Sequence, residues 1–270
     1  MNFQISVAGL LVGILVGLTG MGGGALLAPI MILLFRVPPI WAVGTDIAYA
    51  TVTKAVGSLV HIRQKDVNFK IALLLACGSV PATLLSTVLV QYIHKHYASL
   101  INGLILHTLG VVLLLVAVLL VIKPFVLRQL EHHSKSKYTS LTPAGEGKSR
   151  WQRVGRPAAT VAVGAGVGFL VGLTSVGSGT LIVVSLAFMF PQMGSKELVG
   201  TDIFQAFLLL MAGVIGYLNA GTINWGMVLL LLLGSLPGVY IGSKISKYMP
   251  DRYMRPLLAT VLAISGFKLI

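Results

Sequence analysis

The chain has 270 residues, 56% of them hydrophobic and only 10% charged, with a formal net charge of +13. A soluble domain averages roughly 45–50% apolar and 25% charged residues, so composition excludes a soluble globular protein, and a mean hydropathy of +0.92 marks an integral membrane protein. The positive charge does not point to nucleic acid, because the basic residues gather in a few short polar stretches between apolar runs, as the positive-inside rule expects.

The opening MNFQIS carries no lysine or arginine, and no small-residue cleavage motif follows the first apolar run. The first segment is therefore expected to remain in the mature protein rather than act as a removable signal peptide. Ten apolar segments then succeed one another over 4–19, 23–35, 40–62, 70–92, 99–122, 157–174, 179–190, 198–219, 223–243 and 254–270. Those at 40–62, 70–92, 99–122, 198–219 and 223–243 reach the length of about 20 residues that a span requires, and 254–270 is marginal. The segment from Gly23 to Phe35 would form a helix of roughly 20 Å against a hydrocarbon core of about 30 Å, so it reaches only part of the way across.

The first two segments are divided by LTGMGGGA, in which Gly20, Gly22, Gly23 and Gly24 interrupt an otherwise apolar run. Glycine at membrane depth breaks a helix, and non-helical backbone is tolerated there only where it is buried in protein or lines a watery cavity. A helix starting near Gly23 would present free N–H groups and the positive end of its dipole to an anion. Close helix packing through small residues is the alternative use of such glycines.

The third segment follows Pro38 and Pro39, which suit the first turn of a helix. That start would place Asp46 some seven residues, or roughly 10 Å, inside the helix. A charged aspartate at the bilayer centre costs about 2.5–3.5 kcal/mol, so Asp46 either faces the protein interior as a proton-coupling candidate or caps a helix at the interface with Thr45. Lys54 is the one basic residue deep inside an apolar segment. It stands eight residues beyond Asp46, about 12 Å of rise, too far for a comfortable pair on one helix. Its counter-charge is either an aspartate of the other half or the substrate. Cys77 is the single cysteine, which excludes an intramolecular disulfide or a thiolate cluster and leaves a small apolar filler.

Lys123 to Arg156 has eight Lys/Arg and little apolar periodicity, and is expected to be a mobile cytoplasmic linker. His132 and His133 within it are expected to be a solvated pair. His94 and His96, beside Lys95 in a short loop, have no ligand spacing either, and neither a metal nor a cofactor is expected.

Beyond the linker the chain repeats itself. Gly17 to Gly24 returns 155 positions later as Gly172 to Gly179; Gly44-Thr45-Asp46-Ile47 returns as Gly200-Thr201-Asp202-Ile203, and Gly78-Ser79-Val80-Pro81 as Gly234-Ser235-Leu236-Pro237, both offset by 156. Motifs in one order at one spacing indicate a duplication, which divides the chain into a first transmembrane repeat (1–122), the linker (123–156) and a second repeat (157–270). At the Lys54 position the second half has Leu210. Pro81 and Pro237 fall inside their spans and are expected to kink them.

Loop charge orients the halves. The basic loops 63–70, 123–156 and 244–255 belong in the cytoplasm, while 36–39, 93–98 and 191–197 carry one Lys/Arg each and 219–224 none. Equivalent loops 63–70 and 219–224 therefore lie on opposite sides. This requires an odd number of crossings per half and an inverted repeat, the plan of many secondary transporters. Three crossings plus one re-entrant hairpin per half satisfy it, as do five full crossings, and the short glycine-flanking segments favour hairpins. The expected fold is all-α and polytopic: two inverted-topology repeats, each a glycine-broken re-entrant hairpin followed by three transmembrane helices, with both termini outside.

Two halves that each open with a glycine-rich break, followed by GTD and then GSxPG-like elements, resemble the sulfite exporter TauE/SafE family over the whole chain outside the linker. The resemblance implies secondary transport of small anions, such as sulfite, sulfoacetate and related sulfonates or organic anions, across a bacterial or archaeal cytoplasmic membrane, by a protein that is not an enzyme. The family's break matches Thr19, Gly20, Gly22, Gly23 and Gly24 fully. It matches Thr174, Ser175, Gly177, Ser178 and Gly179 with Ser175 and Ser178 in place of two glycines. These residues, with Thr45, Thr201 and Lys54, are the candidates for substrate binding, and Asp46 and Asp202 for proton coupling. The expected partners are a small anion and the lipid bilayer, and a homo-oligomer is compatible with both. An anion channel with a glycine-rich re-entrant filter is the alternative. An intramembrane enzyme is disfavoured, since HExxH, GxSxG and paired-aspartate motifs are missing.

Overall fold

Ten helices and no strand make up the described residues of the computed structural model, which are 2–19, 25–137, 156–190, 193–246 and 251–270. They are α1 (Asn2–Thr19), α2 (Leu27–Leu33), α3 (Pro39–Arg63), α4 (Phe69–His96), α5 (Ala98–Lys137), α6 (Arg156–Thr174), α7 (Thr180–Met189), α8 (Ser195–Asn219), α9 (Trp225–Ser246) and α10 (Asp251–Leu269). Each falls on one of the apolar segments. Five contain a stretch long and apolar enough to cross a membrane: 69–96 in α4, 101–122 in α5, 157–174 in α6, 196–219 in α8 and 225–242 in α9. With the bilayer as solvent, apolar side chains such as Leu85, Val88, Val118, Leu229 and Leu233 lie on the outside.

Three helices stand out by their length. α2 has only seven residues, about 10 Å, and α7 has ten, about 15 Å, so neither crosses a core of about 30 Å. α5 has 40 residues, about 60 Å, and runs past the apolar segment as far as Lys137, into the stretch expected to be linker. His132 and His133 are thus part of a helix, and the remainder of the expected linker, 138–155, lies outside the described residues. The start of α5 at Ala98 also leaves His94 and His96 in the last turn of α4, exposed, rather than in a loop.

The ends follow local chemistry. Pro39 opens α3 at a position where its missing N–H is harmless, and Asn68 opens α4 by accepting from Ile71 N–H at 3.3 Å. Lys65 after α3 and Gly221 after α8, 156 positions apart, both turn the chain through positive φ, at 60° and 64°.

Packing couples the two halves. α1 lies along α9, α4 along α6, α5 against α10, and α3 and α4 against α8. The α1–α9 contact is backbone-close: a Cβ at Gly9 would stand 2.7 Å from the Leu231 carbonyl oxygen. Gly164 of α6, the counterpart of Gly9 at the offset of 155, meets the backbone of Leu75 on α4 in the same way. Without a hydrophobic drive between helices in lipid, such close approach and interhelical hydrogen bonds supply the cohesion. Gln205 Nε2 donates to Ser79 Oγ at 2.6 Å, and Thr83 Oγ1 donates to the Gly168 carbonyl at 2.9 Å. Pro81 and Pro237 stand inside α4 and α9. Cys77 lies exposed on α4, so it fills no core gap.

Candidate functional site

The break of the second half is a non-helical stretch between α6, which ends at Thr174, and α7, which begins at Thr180. Ser175 holds φ 62° and Gly177 φ 104°, both left-handed. A non-glycine residue there is strained by about 1–3 kcal/mol and persists only where its surroundings impose it. Thr174 Oγ1 donates to Leu170 O at 2.8 Å and accepts from Val176 N–H at 3.2 Å, so this hydroxyl is engaged in closing α6. From α8, Tyr217 donates its hydroxyl to Gly172 O at 2.9 Å and holds the last turn of α6 in place. Ser175 and Ser178 are buried, and Gly179 leads into α7 with no side-chain cap on its first N–H groups.

Asp46 lies in α3, fully buried, and both its carboxylate oxygens are without a hydrogen-bond partner. Ser175 interacts with it: the buried Oγ completes no hydrogen bond in this geometry, although it lies close enough to act on the carboxylate. The capping alternative for Asp46 and Thr45 does not hold. α3 begins at Pro39 with Pro38 as its cap residue, and α8 begins at Ser195 after Gly194, which puts Asp46 and Asp202 alike inside a helix.

Lys54 meets an aspartate of the other half, with Nζ 3.7 Å from Asp202 Oδ2 and both side chains buried. Shifted by the repeat offset, this pair becomes Leu210 and Asp46, so the first-half aspartate has no cation in the equivalent place. Eight residues, about 12 Å of rise, separate Asp46 from Lys54 on α3, so the Asp46–Ser175 contact and the Lys54–Asp202 pair lie at different depths.

Thr45 and Thr201 serve the backbone. Thr45 Oγ1 accepts from Asn224 N–H at 3.2 Å and Thr201 Oγ1 from Asn68 N–H at 3.0 Å, each pinning the turn of the opposite half. The glycine before each threonine makes this approach possible. A Cβ on Gly44 would stand 2.9 Å from Thr222 O, and one on Gly200 2.6 Å from Asp66 O. Asn68 and Asn224, which also cap α4 and α9, were not singled out by the sequence motifs. Their signal is the Asn-aromatic pair Asn68-Phe69 returning as Asn224-Trp225 at the same offset.

In the first half, Thr19 closes α1, and Gly20, Gly22, Gly23 and Gly24 lie outside the described residues. Among the described residues no group of three or more His, Cys, Asp or Glu could hold a metal ion.

Comparison with known proteins gives one consistent result. The profile of the family described as "Sulfite exporter TauE/SafE" matches residues 5–269. The "Probable membrane transporter protein YjnA" of Bacillus subtilis is 40% identical, with 100% of each chain covered. From the same organism, the "Probable membrane transporter protein YdhB" is 27% identical with 96% of each chain covered. The "Probable membrane transporter protein YunE" is also 27% identical, covering 100% of this chain and 98% of its own. No solved structure matches the chain.

Proposed function

We propose, for a chain that belongs to the sulfite exporter TauE/SafE family of membrane transporters, that it exports small anions such as sulfite, sulfoacetate or related sulfonates by alternating access. The observation that carries this reading is the buried Ser175 hydroxyl, without a completed hydrogen bond, at the helix break before α7. Such a donor, beside backbone N–H groups at a helix start, suits an anion with several acceptor oxygens. Gly177 and Gly179 let the backbone approach such a ligand.

An inverted arrangement of the halves is supported by helix direction. Contacts of Gly164 with Leu75 and of Gly168 with Ser79 run in the same sense along α6 and α4, as those of Gly9 with Leu231 and of Gly13 with Ser235 do along α1 and α9. α3 and α8 run oppositely, since Gly44 meets Thr222 while Gly57 meets Ile203. α6 thus starts at the end where the α3–α4 turn meets α8, and α7 leads back to the start of α8 at that same end. α1 and α2 stand in the same relation to the α8–α9 turn and the start of α3. Re-entrant hairpins entering from opposite faces fit these directions and the short α2 and α7. Arg63 at the end of α3, Lys65 in the turn after it and Lys70 at the start of α4 favour a cytoplasmic side for this turn and an outside location for both termini in the cell membrane.

Flux into proteoliposomes tests the reading with a panel of sulfite, sulfoacetate, sulfate and an unrelated carboxylate. Saturable flux of one or more sulfur oxyanions, reduced by Ser175→Ala, is expected. No anion moving faster than in protein-free vesicles would refute it, and unitary conductance steps without saturation would make the protein a channel.

A further inference from the structure

We infer that Asp46 is the single proton-linked carboxylate of the transport site, and that an anion binds at the α6–α7 break only together with a proton on Asp46. This rests on the anion-transport reading above and adds to it the sense and stoichiometry of coupling.

The two GTD aspartates are equivalent by the repeat but not by environment. Asp202 faces the Lys54 ammonium at 3.7 Å, so its charge is balanced inside the protein. Asp46 is equally deep in its helix, has no hydrogen-bond partner on either oxygen, and has Leu210 at the position equivalent to Lys54. The other titratable side chains on or packed against α3 do not supply a cation. Lys54 is engaged with Asp202, His61 in the last turn of α3 faces Asp66 at 3.6 Å, Arg63 beside it is exposed, Tyr49 brings no positive charge, and Tyr217 donates to Gly172 O. On α8, Lys196 is exposed and Glu197 accepts from Asn68 Nδ2 at 2.9 Å. α2 and α7 have no titratable residue, and on α4, α5 and α9 the described basic side chains, among them Lys70, His107 and Lys244, lie exposed.

An ionised carboxylate is only an acceptor, whereas a protonated one has an O–H to donate. Ionised, Asp46 repels an anion at the break and competes for the Ser175 hydroxyl. A proton arriving from solvent on Asp46 Oδ removes that repulsion, releases Ser175 Oγ–H for the ligand and adds a second donor beside it. Leaving a buried charge uncompensated is costly, so the anion and the proton each favour the other's binding. A divalent anion leaving with one proton still carries one negative charge outward, so an inside-negative potential favours export.

The test uses the full chain in weakly buffered nanodiscs with a pH indicator, adding sulfite or sulfoacetate, whichever the flux panel shows to move. Medium-only titrations correct for the anion's own protonation. At alkaline pH, where Asp46 of the empty site is ionised, binding is expected to take up about one proton per anion and its apparent affinity to fall about tenfold per pH unit. Asp46→Asn, which keeps the shape and removes the charge, is expected to bind with no proton uptake and a flat pH profile. Leu210→Lys is expected to abolish the uptake by balancing Asp46. Anion binding by the wild-type chain without proton uptake across the alkaline range and with a flat pH profile, or equal uptake by Asp46→Asn, would overturn the inference and leave the transporter reading intact. That first measurement needs no variant to fold. Absence of flux or binding for every anion at every pH would instead remove the transporter reading and this inference with it.

Discussion

Lys54→Met leaves the Asp202 carboxylate buried without its cation. At 3.7 Å the pair's attraction is about 4.5 kcal/mol at an effective dielectric of about 20, against the desolvation of two buried groups. Removing one partner of such a pair costs about 3–5 kcal/mol, because the remaining charge has no compensation, while removing both is close to neutral. The expected outcome of a double-mutant cycle is therefore strongly non-additive. Lys54→Met and Asp202→Asn each destabilise by several kcal/mol, and the double variant returns to within about 1–2 kcal/mol of the parent. The measurement is reversible unfolding in mild detergent, followed by tryptophan fluorescence. If Lys54→Met costs less than about 1 kcal/mol, or if the two losses simply add, the pair does not hold α3 to α8 as described.

Other outcomes follow from single contacts. Gly164→Ala forces a Cβ into the Leu75 backbone and is expected to lower stability by about 1–3 kcal/mol. Gly166→Ala, with nothing within 4 Å of its Cβ, is expected to be neutral or slightly stabilising in the same unfolding assay. Thr201→Val removes the acceptor of the Asn68 N–H and should cost about 1–3 kcal/mol, with Thr45→Val matching it at Asn224. Tyr217→Phe should cost about 1 kcal/mol in unfolding free energy by releasing the last turn of α6.

Much of the architecture was legible because lipid leaves so few options. Every backbone group must be satisfied, so runs of apolar residues become helices, and each described helix sits on an apolar segment. The break at Ser175 to Gly179 was legible from its glycines and small hydroxyl residues, which interrupt an apolar run where a continuous helix would otherwise be expected. Lys54 was recognisable as needing a counter-charge, but whether Asp202 or a ligand supplied it depended on the register of α3 against α8, which distant residues set. The roles of Thr45 and Thr201 were not legible. Their hydroxyls looked like ligand groups, yet each is engaged by a turn of the opposite half. Asp46 could pass for a cap until the start of α3 at Pro39 was known. The extension of α5 to Lys137 was hidden because basic residues with good helix propensity lack the apolar period that reveals a helix within a bundle.

The most direct test of the account is to locate a bound anion. Crystals of the full chain soaked with selenite, a heavier analogue of sulfite, allow the ligand to be found by anomalous scattering. The expected result is one peak at the α6–α7 break, within about 3 Å of Ser175 Oγ and of the Asp46 carboxyl, and lost in Ser175→Ala. A peak elsewhere, with this break left empty while the same protein still carries sulfite across vesicles, would contradict it.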